Sequence, residues 1–547
     1  MIRHALVLTS AWMLWRLVRK LTHKSPLDNI PGPRSQSVLT GNLQQLADRQ
    51  GWDFHDELAE QYGSVVKING LLGTPWLYVF DPVALQHILR DQQSYEELPW
   101  YTDSNTMILG PGILAVAGDV HRKQRRILKP AFSTSHLRER SRILPNNGEG
   151  LFRLPSLYSL VHAISSRINE ENTEVDMMSW MGRMALELIG QVAFGHSFDP
   201  LTEDIADPYT EAVKAFAPET TAPVMILFRQ FAPLAKALGP VWLRRALVQL
   251  VPVSCIKKVV GIADALHLRS SEIFSARKAA LEAHQEDGKD IMSILLKANM
   301  KASDRDQLPD DQLLGQMSSI LFAGMDTTSN ALSRVLDLLS KNLDVQEKLR
   351  HEVLGARANG PLDFDQIHAL SYLDAICKET LRLYPPAPQT FRGVPPSAMK
   401  DAILPLSRPL QTTNGTAITS LVVPRGTNIV VGIRASNLQT SVWGPDALEW
   451  RPERWLAPLP GSVEEAGVPG VYSHMMTFLG GARSCVGLQF ALLEMKIVLI
   501  ELLANFAFEP SSTRPVVWNL SGVAYPSTSV ESTKSELWLR VRRLSVS

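Results

Sequence analysis

Near the C-terminus, Phe478-Leu-Gly-Gly-Ala-Arg-Ser-Cys485-Val-Gly487 places one cysteine among glycines, with an arginine two residues before it. An apolar helical pattern, Leu488 to Ala504, follows directly. A thiolate is a soft, electron-donating metal ligand, and a haem iron held by one has electron density pushed towards bound oxygen. Gly480, Gly481 and Gly487 let the backbone pass close to a flat macrocycle and take φ values closed to other residues. Arg483 offers a fixed charge for a haem carboxylate. The start of the following helix favours negative charge on the sulfur. A lone cysteine in a glycine-rich turn is ordinarily structural, but the fixed positions around Cys485 argue for an axial haem-iron ligand. Phe478, Gly481 and Arg483 belong to the same loop. Cys255 and Cys377 lack such flanks and read as structural thiols.

The pattern F-x-x-G-x-R-x-C-x-G resembles the signature of the cytochrome P450 superfamily. The resemblance implies a role for Phe478, Gly481 and Arg483 in cofactor binding. Three further constellations extend the likeness. The first is Ala323-Gly324-Met325-Asp326-Thr327-Thr328, inside a helical pattern opened by Pro309-Asp310-Asp311 and running past Leu339. Gly324 in a helix interior costs about 1 kcal/mol relative to alanine, and threonine hydroxyls compete for backbone carbonyls. A helix weakened at its middle would open a groove for dioxygen and water. The resemblance implies that Asp326 and Thr327 are the catalytic acid–alcohol pair that delivers protons for O–O cleavage. An ordinary core helix is the plain alternative.

The second is Glu379-Thr-Leu-Arg382, whose i, i+3 spacing puts both side chains on one helix face. With Arg454 of Pro452-Glu-Arg-Trp455 it matches the family's buried Glu–Arg–Arg network, a structural rather than chemical device. The third is His121-Arg-Lys-Gln-Arg125-Arg126 in an expected helix from Gly118 to Lys129. His121 and Arg125 share a face and could bond haem carboxylates; Arg392 is a further candidate for the same task. Arg122, Lys123 and Arg126 read as a solvated face, which could also receive an acidic redox partner.

These residues must be held by a large scaffold. The chain has 547 residues, with Lys+Arg and Asp+Glu at 55 each, so no global basic field argues for nucleic acid. Three cysteines make no disulfide framework and suit a reducing compartment. The periodicity predicts a mainly α fold with a small β region, the cytochrome P450 fold that the resemblance implies over Pro31 to Arg543. Ser64–Ile68 and Trp76–Val79 alternate like paired strands, and Ala417–Val423, Pro424-Arg-Gly426 and Thr427–Ile433 read as a hairpin.

Residues 1–24 carry an apolar run, Ala5 to Val18, and then Arg19, Lys20, His23 and Lys24. They read as an N-terminal membrane anchor with a basic flank, with a cleaved signal peptide or a buried first helix as alternatives. Residues 25–36 form a proline-rich hinge, and 37–547 the haem-thiolate monooxygenase domain. Positive charge after the anchor predicts a cytoplasmic catalytic domain on the endoplasmic reticulum. Residues 139–158, with Pro145-Asn-Asn-Gly148 and Pro155, fit a helical continuation badly and read as a surface insertion or a gene-model error.

The resemblance implies haem b (iron protoporphyrin IX), with O2 and NADPH-derived electrons as co-substrates. The implied partners are a flavoprotein reductase and, as a second donor, cytochrome b5. Val468-Pro-Gly-Val-Tyr-Ser-His474 and Phe490-Ala-Leu-Leu-Glu-Met-Lys496 resemble fungal, especially basidiomycete, members. The expected reaction inserts one oxygen atom into a lipophilic substrate, a terpenoid or related secondary metabolite. Apolar segments Tyr101–Leu114, Phe216–Phe228 and Ile320–Phe322 would line its pocket. The alternatives are a haem-thiolate isomerase or dehydratase, and a non-functional haem protein carrying the 139–158 insertion.

Overall fold

A 32-residue helix, Asp310–Lys341, organises the core. Two aspartates occupy its first turn and Lys341 its last, so its end charges complement the helix dipole. Its middle is buried on several sides, with Leu321, Met325, Leu332 and Leu336 inaccessible to solvent. Met177–Phe194 packs along it, capped by Asp176, whose carboxylate accepts from the N–H groups of Met178 and Ser179. Ser254–Glu282, Ser371–Leu383 and Leu488–Asn505 complete the helical surround. The computed structural model describes residues 25–141, 154–169, 173–199, 201, 208–220, 223–283, 290–303 and 307–544.

The strands are β1 (Val65–Asn69), β2 (Pro75–Val79), β3 (Glu174–Asp176), β4 (Gln389–Gly393), β5 (Ala402–Gln411) and β6 (Ala417–Val423). Then come β7 (Asn428–Gly432), β8 (Phe506–Pro510), β9 (Val517–Asn519), β10 (Tyr525–Ser527) and β11 (Trp538–Arg543). The main sheet has the order β1-β2-β7-β4, with β2 and β7 parallel. β1 and β2 pair as expected, Val65 opposite Val79. The expected hairpin from 417 to 433 does not form. β6 pairs with β5, while β7 is inserted between β2 and β4. Burial explains the separation: Ile429, Val430 and Val431 are enclosed on both faces, as a central strand requires, whereas β6 is largely exposed. Gly426, at φ +82°, turns the chain from one sheet to the other.

The expected helices are present as Gly118–Leu128, Asp310–Lys341 and Leu488–Asn505. Residues 1–24, the expected anchor, lie outside the described residues. Among the described residues no helix is long and apolar enough to cross a membrane. The proline-rich segment is docked rather than free: Leu27 and Ile30 are buried, and Pro31 O accepts from Lys67 N at 2.9 Å. Within 139–158, residues 142–153 lie outside the described residues, and Thr134–Ser141 and Leu154–Ser165 are helical on either side.

The long helix approaches its neighbours through glycines. A Cβ on Gly315 would lie 2.5 Å from Gly112 N, and one on Gly324 would lie 2.9 Å from Ile189 Cγ1. The helix runs unbroken through Gly324, so the expected mid-helix opening is absent; Gly324 serves close packing instead. Gly315→Val should therefore push the helix off the Gly110–Gly112 turn, at a cost of about 1–3 kcal/mol. Thermal unfolding of the haem-loaded protein checks this, and an unchanged Tm would contradict the contact.

Candidate active site

The loop before Leu488–Asn505 is shaped by its own backbone. Cys485 N donates to Phe478 O at 2.9 Å, closing the loop at its base. Leu479 (φ 54°) and Gly481 (φ 65°) take left-handed conformations, which the glycine adopts freely and which strain the leucine in the way a functional loop can store. A Cβ on Gly480 would sit 2.0 Å from Pro469 O, and one on Gly481 2.4 Å from Leu89 O. Both glycines are thus required by neighbouring backbone, whereas Gly487 (φ −86°) is neither crowded nor left-handed. Cys485 keeps accessible surface, yet burial pushes its thiol up, opposed by the Gly487 N–H and by Arg125. The two facts agree for a side chain facing an enclosed space between chain segments.

Beneath this loop the Glu379 carboxylate is inaccessible to solvent. It accepts from Arg382 Nε (2.9 Å) and Nη2 (2.8 Å), Arg454 Nε (3.2 Å), Trp455 Nε1 (2.9 Å) and Arg451 N (3.2 Å). Arg382 also donates to Ala447 O (2.6 Å) and Asn437 O (3.2 Å), and Arg454 to Asp446 Oδ1 (2.9 Å). Asn437, which sequence reasoning missed, carries the network onward. Its Nδ2 donates to Arg382 O and to Thr477 Oγ1, and its Oδ1 accepts from Met476 N. Thr477 immediately precedes Phe478, so the ion network is bonded directly to the root of the cysteine loop.

On the other side of the loop, cationic groups converge from three elements. Arg125 of the Gly118–Leu128 helix donates to Ser484 O (2.6 Å) and Ser484 Oγ (2.8 Å), gripping the residue before Cys485. Arg392 lies on β4, and Arg483 in the loop donates to Val116 O at 2.7 Å. Glu97, unforeseen in the sequence, bridges Arg392 (3.2 Å) and Arg483 (2.9 Å). His121 is buried beside them, its pKa lowered to about 3 by desolvation and by Arg483, Arg125 and Arg392. Arg122 and Arg126 are exposed, as expected of a solvated face. Two of these guanidinium groups, Arg392 and Arg483, thus share one carboxylate while Arg125 has none, and the surplus positive charge suits the two carboxylates of a haem. The residues present fit the group: Cys485 would hold its iron, with Arg125, Arg392, Arg483 and the His121 imidazole at its carboxylate edge.

On the long helix Asp326 is buried, 2% exposed. Lys214 Nζ approaches its Oδ1 at 3.4 Å, Asn330 Nδ2 donates to the same oxygen at 3.1 Å, and Oδ2 has no partner among the described residues. Burial raises the Asp326 pKa and lowers that of Lys214, while their attraction opposes both shifts. Thr327 Oγ1 donates to Ala323 O at 2.7 Å, the back-bonding expected of a helical threonine. Lys214 was not legible as a partner, since it lies 112 residues from Asp326. Glu494, nine residues past the cysteine, was also missed. It is buried, faces Thr328, and desolvation holds its pKa well above the usual carboxylate range.

The cytochrome P450 family pattern matches residues 31–398 and 400–531. Cytochrome P450 monooxygenase 91 of Postia placenta is 45% identical over 556 residues, covering 99% of both chains. Monooxygenase 81 of the same fungus is 44% identical, covering 96% of this chain and 94% of its own. Ganoderic acid synthetase of Ganoderma lucidum is 42% identical, covering 98% of this chain and 97% of its own. The chain belongs to the cytochrome P450 family of monooxygenases, haem-thiolate oxidoreductases that use O2 and NADPH-derived electrons. When bound, the haem supplies the oxygen-activating chemistry, and the thiolate tunes it.

Removing one member of a buried ion network leaves the others uncompensated. Glu379→Ala should therefore destabilise the protein by about 3–5 kcal/mol and reduce haem retention. Urea unfolding together with haem content per chain measures both. A variant with full haem content and wild-type stability would show that the Cys485 loop does not depend on this network.

Proposed function

We propose that this chain is a membrane-associated monooxygenase of fungal secondary metabolism. It inserts one oxygen atom into a terpenoid or related lipophilic substrate, with a flavoprotein reductase as electron donor and cytochrome b5 as a second donor. The observation that carries the oxygen-activating reading is the buried Asp326 beside Thr327, with one carboxylate oxygen unpartnered among the described residues and Lys214 as counter-charge. A haem-thiolate isomerase or dehydratase has no use for such a proton-handling pair. Thr327 Oγ1 can position a water at the oxygen site, and Asp326 can pass protons to it, with Lys214 setting the carboxylate's charge.

The substrate class is supported by an apolar cavity whose lining includes Leu109, Leu114, Phe216 and Phe322, and by the name of the Ganoderma relative. These lining residues fall within the segments expected from sequence. Membrane association is supported by the apolar run at 5–18 and by exposed apolar side chains at Phe231, Leu234, Leu238, Val241, Trp242 and Leu250. Arg122 and Arg126, exposed on the helix whose Arg125 grips Ser484, offer a basic surface for an acidic donor protein.

Co-expression with a fungal reductase, feeding terpenes and sterols and identifying oxidised products by mass spectrometry, tests the reading directly. Cys485→Ala should abolish the ferrous–carbon monoxide band of thiolate ligation; its persistence would reassign the ligand. Thr327→Ala should keep haem and substrate binding while product per NADPH falls and hydrogen peroxide rises. Positioned acid groups contribute about 10²–10⁴-fold in rate, so the loss should be large; unchanged coupling would favour the oxygen-independent reading.

Membrane contact has its own test. Deleting residues 1–24 should leave residual binding to phosphatidylcholine vesicles, and adding Trp242→Glu and Leu250→Glu should remove it. Co-sedimentation reads the result, and equal binding before and after the paired substitution would leave the 231–250 surface without that role.

A further inference from the structure

The apolar cavity bordered by Phe322 of the long helix contains a cation that an all-hydrocarbon substrate would not require. Arg229, on the helix Pro223–Gln230, points a guanidinium into a wall formed by Trp100, Tyr101, Phe216, Phe322 and Phe391. Its Nε donates to Ser104 Oγ at 3.0 Å and its Nη2 to Asn105 Oδ1 at 3.1 Å. The group stands 5.2 Å from the Tyr101 ring centroid and 5.8 Å from that of Trp100. Every one of these partners is neutral. Among the described residues no carboxylate pairs with Arg229; the nearby Asp103 is bonded to Lys236 at 2.7 Å.

Such a cation is oriented without being neutralised. Asn105 is itself fixed, its Nδ2 donating to Leu114 O at 3.0 Å, and Ser104 Oγ donates to Tyr101 O at 2.9 Å. The guanidinium is therefore held in place before any ligand arrives, which lowers the cost of binding one. Among the described residues its hydrogen bonds run through Nε and Nη2 and none through Nη1. Next to it, Gln230 lines the same cavity, and among the described residues its Nε2 has no partner, nor has Gln389 Oε1 on β4. Arg229 is half-buried, and desolvation lowers its pKa. An uncompensated buried charge is costly, and an anion delivered by the ligand removes that cost. A guanidinium matches a carboxylate in plane and spacing, and the aromatic wall accepts the apolar body attached to it.

We propose that Arg229 binds a carboxylate of the substrate, so that the enzyme oxidises a lipophilic acid, a terpenoid or fatty acid, held at its acid end by Arg229 and Gln230. This deepens the monooxygenase reading and rests on it. Anchoring the acid end fixes which part of the hydrocarbon can reach the haem side of the cavity. Oxidation then falls away from the carboxylate, at a carbon set by the length of the body. The reaction that supplies this substrate must be one that leaves a free carboxyl group, such as oxidation of an alcohol or aldehyde or hydrolysis of an ester.

The test uses the full-length haem-loaded protein at neutral pH and isothermal titration calorimetry. The ligands are dehydroabietic, ursolic and palmitic acids, each paired with its methyl ester. At least one acid should bind about tenfold or more tighter than its ester, the range of a hydrogen bond to a charged group. In Arg229→Gln that acid-to-ester ratio should fall to near one, and Arg229→Lys should restore part of it. A merely structural role for Arg229 would weaken acid and ester alike and leave the ratio intact, which overturns the proposal. Equal affinities for acid and ester in all three wild-type pairs overturn it too. The carbon monoxide difference spectrum of the same preparation separates the two readings. A thiolate band without acid preference sinks only the carboxylate site, whereas acid preference without the band sinks the monooxygenase reading and leaves the site standing.

Discussion

The burial of Glu379 is the constraint on which the rest of the site depends. A carboxylate with no access to water must have its charge and all its acceptor sites satisfied. Here two arginines, an indole N–H and a backbone N–H do so. Those donors come from two stretches of chain, Arg382 from the same helix and the rest from residues 451–455, so satisfying one carboxylate pins the helix Ser371–Leu383 to the Pro452–Leu456 turn. Arg382 extends the clamp to the carbonyls of Asn437 and Ala447. Through Asn437 and Thr477 the same bonds reach the residue before Phe478. The thiol thus gains a rigid mount made from groups that take no part in the chemistry.

The loop held by that mount is also shaped from the opposite side. Arg125 grips Ser484, and Glu97 ties Arg392 to Arg483. These cations repel one another, and a single carboxylate does not cancel them. Their assembly is tolerated because a haem brings two carboxylates of its own. His121 shows the same field from within: crowded by guanidinium groups, its ring stays neutral and can donate only as an imidazole. A similar logic runs through the molecule at smaller scale. Asp326 is buried against Lys214, and Arg229 is half-buried against neutral partners alone. Where a buried charge has its counter-charge, the pair supports the fold or the proton path; where it has none, a ligand is the natural complement.

Glycine sets the distances between these parts. Gly112 and Gly315 let a turn meet the long helix at backbone contact, and Gly480 and Gly481 let the cysteine loop pass against Pro469 and Leu89. In each case a methyl group would occupy space already held by main-chain atoms, which cannot move aside as a side chain could. The two positive φ angles in the loop belong to the same economy of space, since left-handed turns bring Cys485 back under Phe478.

The sequence by itself determined the local facts: where the helices that carry the site and four of the eleven described strands run, which cysteine carries the haem signature, and that Glu379, Arg382 and Arg454 would matter together. Those facts are written in short spacings and in turn residues, which act within a few positions of themselves. It misassigned the partner of Ala417–Val423, because strand pairing is settled by which face is buried, and that depends on β2 and β4, hundreds of residues away or on the far side of a turn. It anticipated an opening at Gly324, whereas Ile189 of another helix fills the space. Glu97, Lys214, Asn437 and Glu494 could not be singled out, since each looks like an ordinary polar residue in its own segment. Arg229 likewise sat unremarked in an apolar stretch, and only the walls around it reveal a cation without a counter-ion. Long-range contacts decide such roles because desolvation and charge pairing act through space, and no spacing along the chain records which distant groups will share a buried volume.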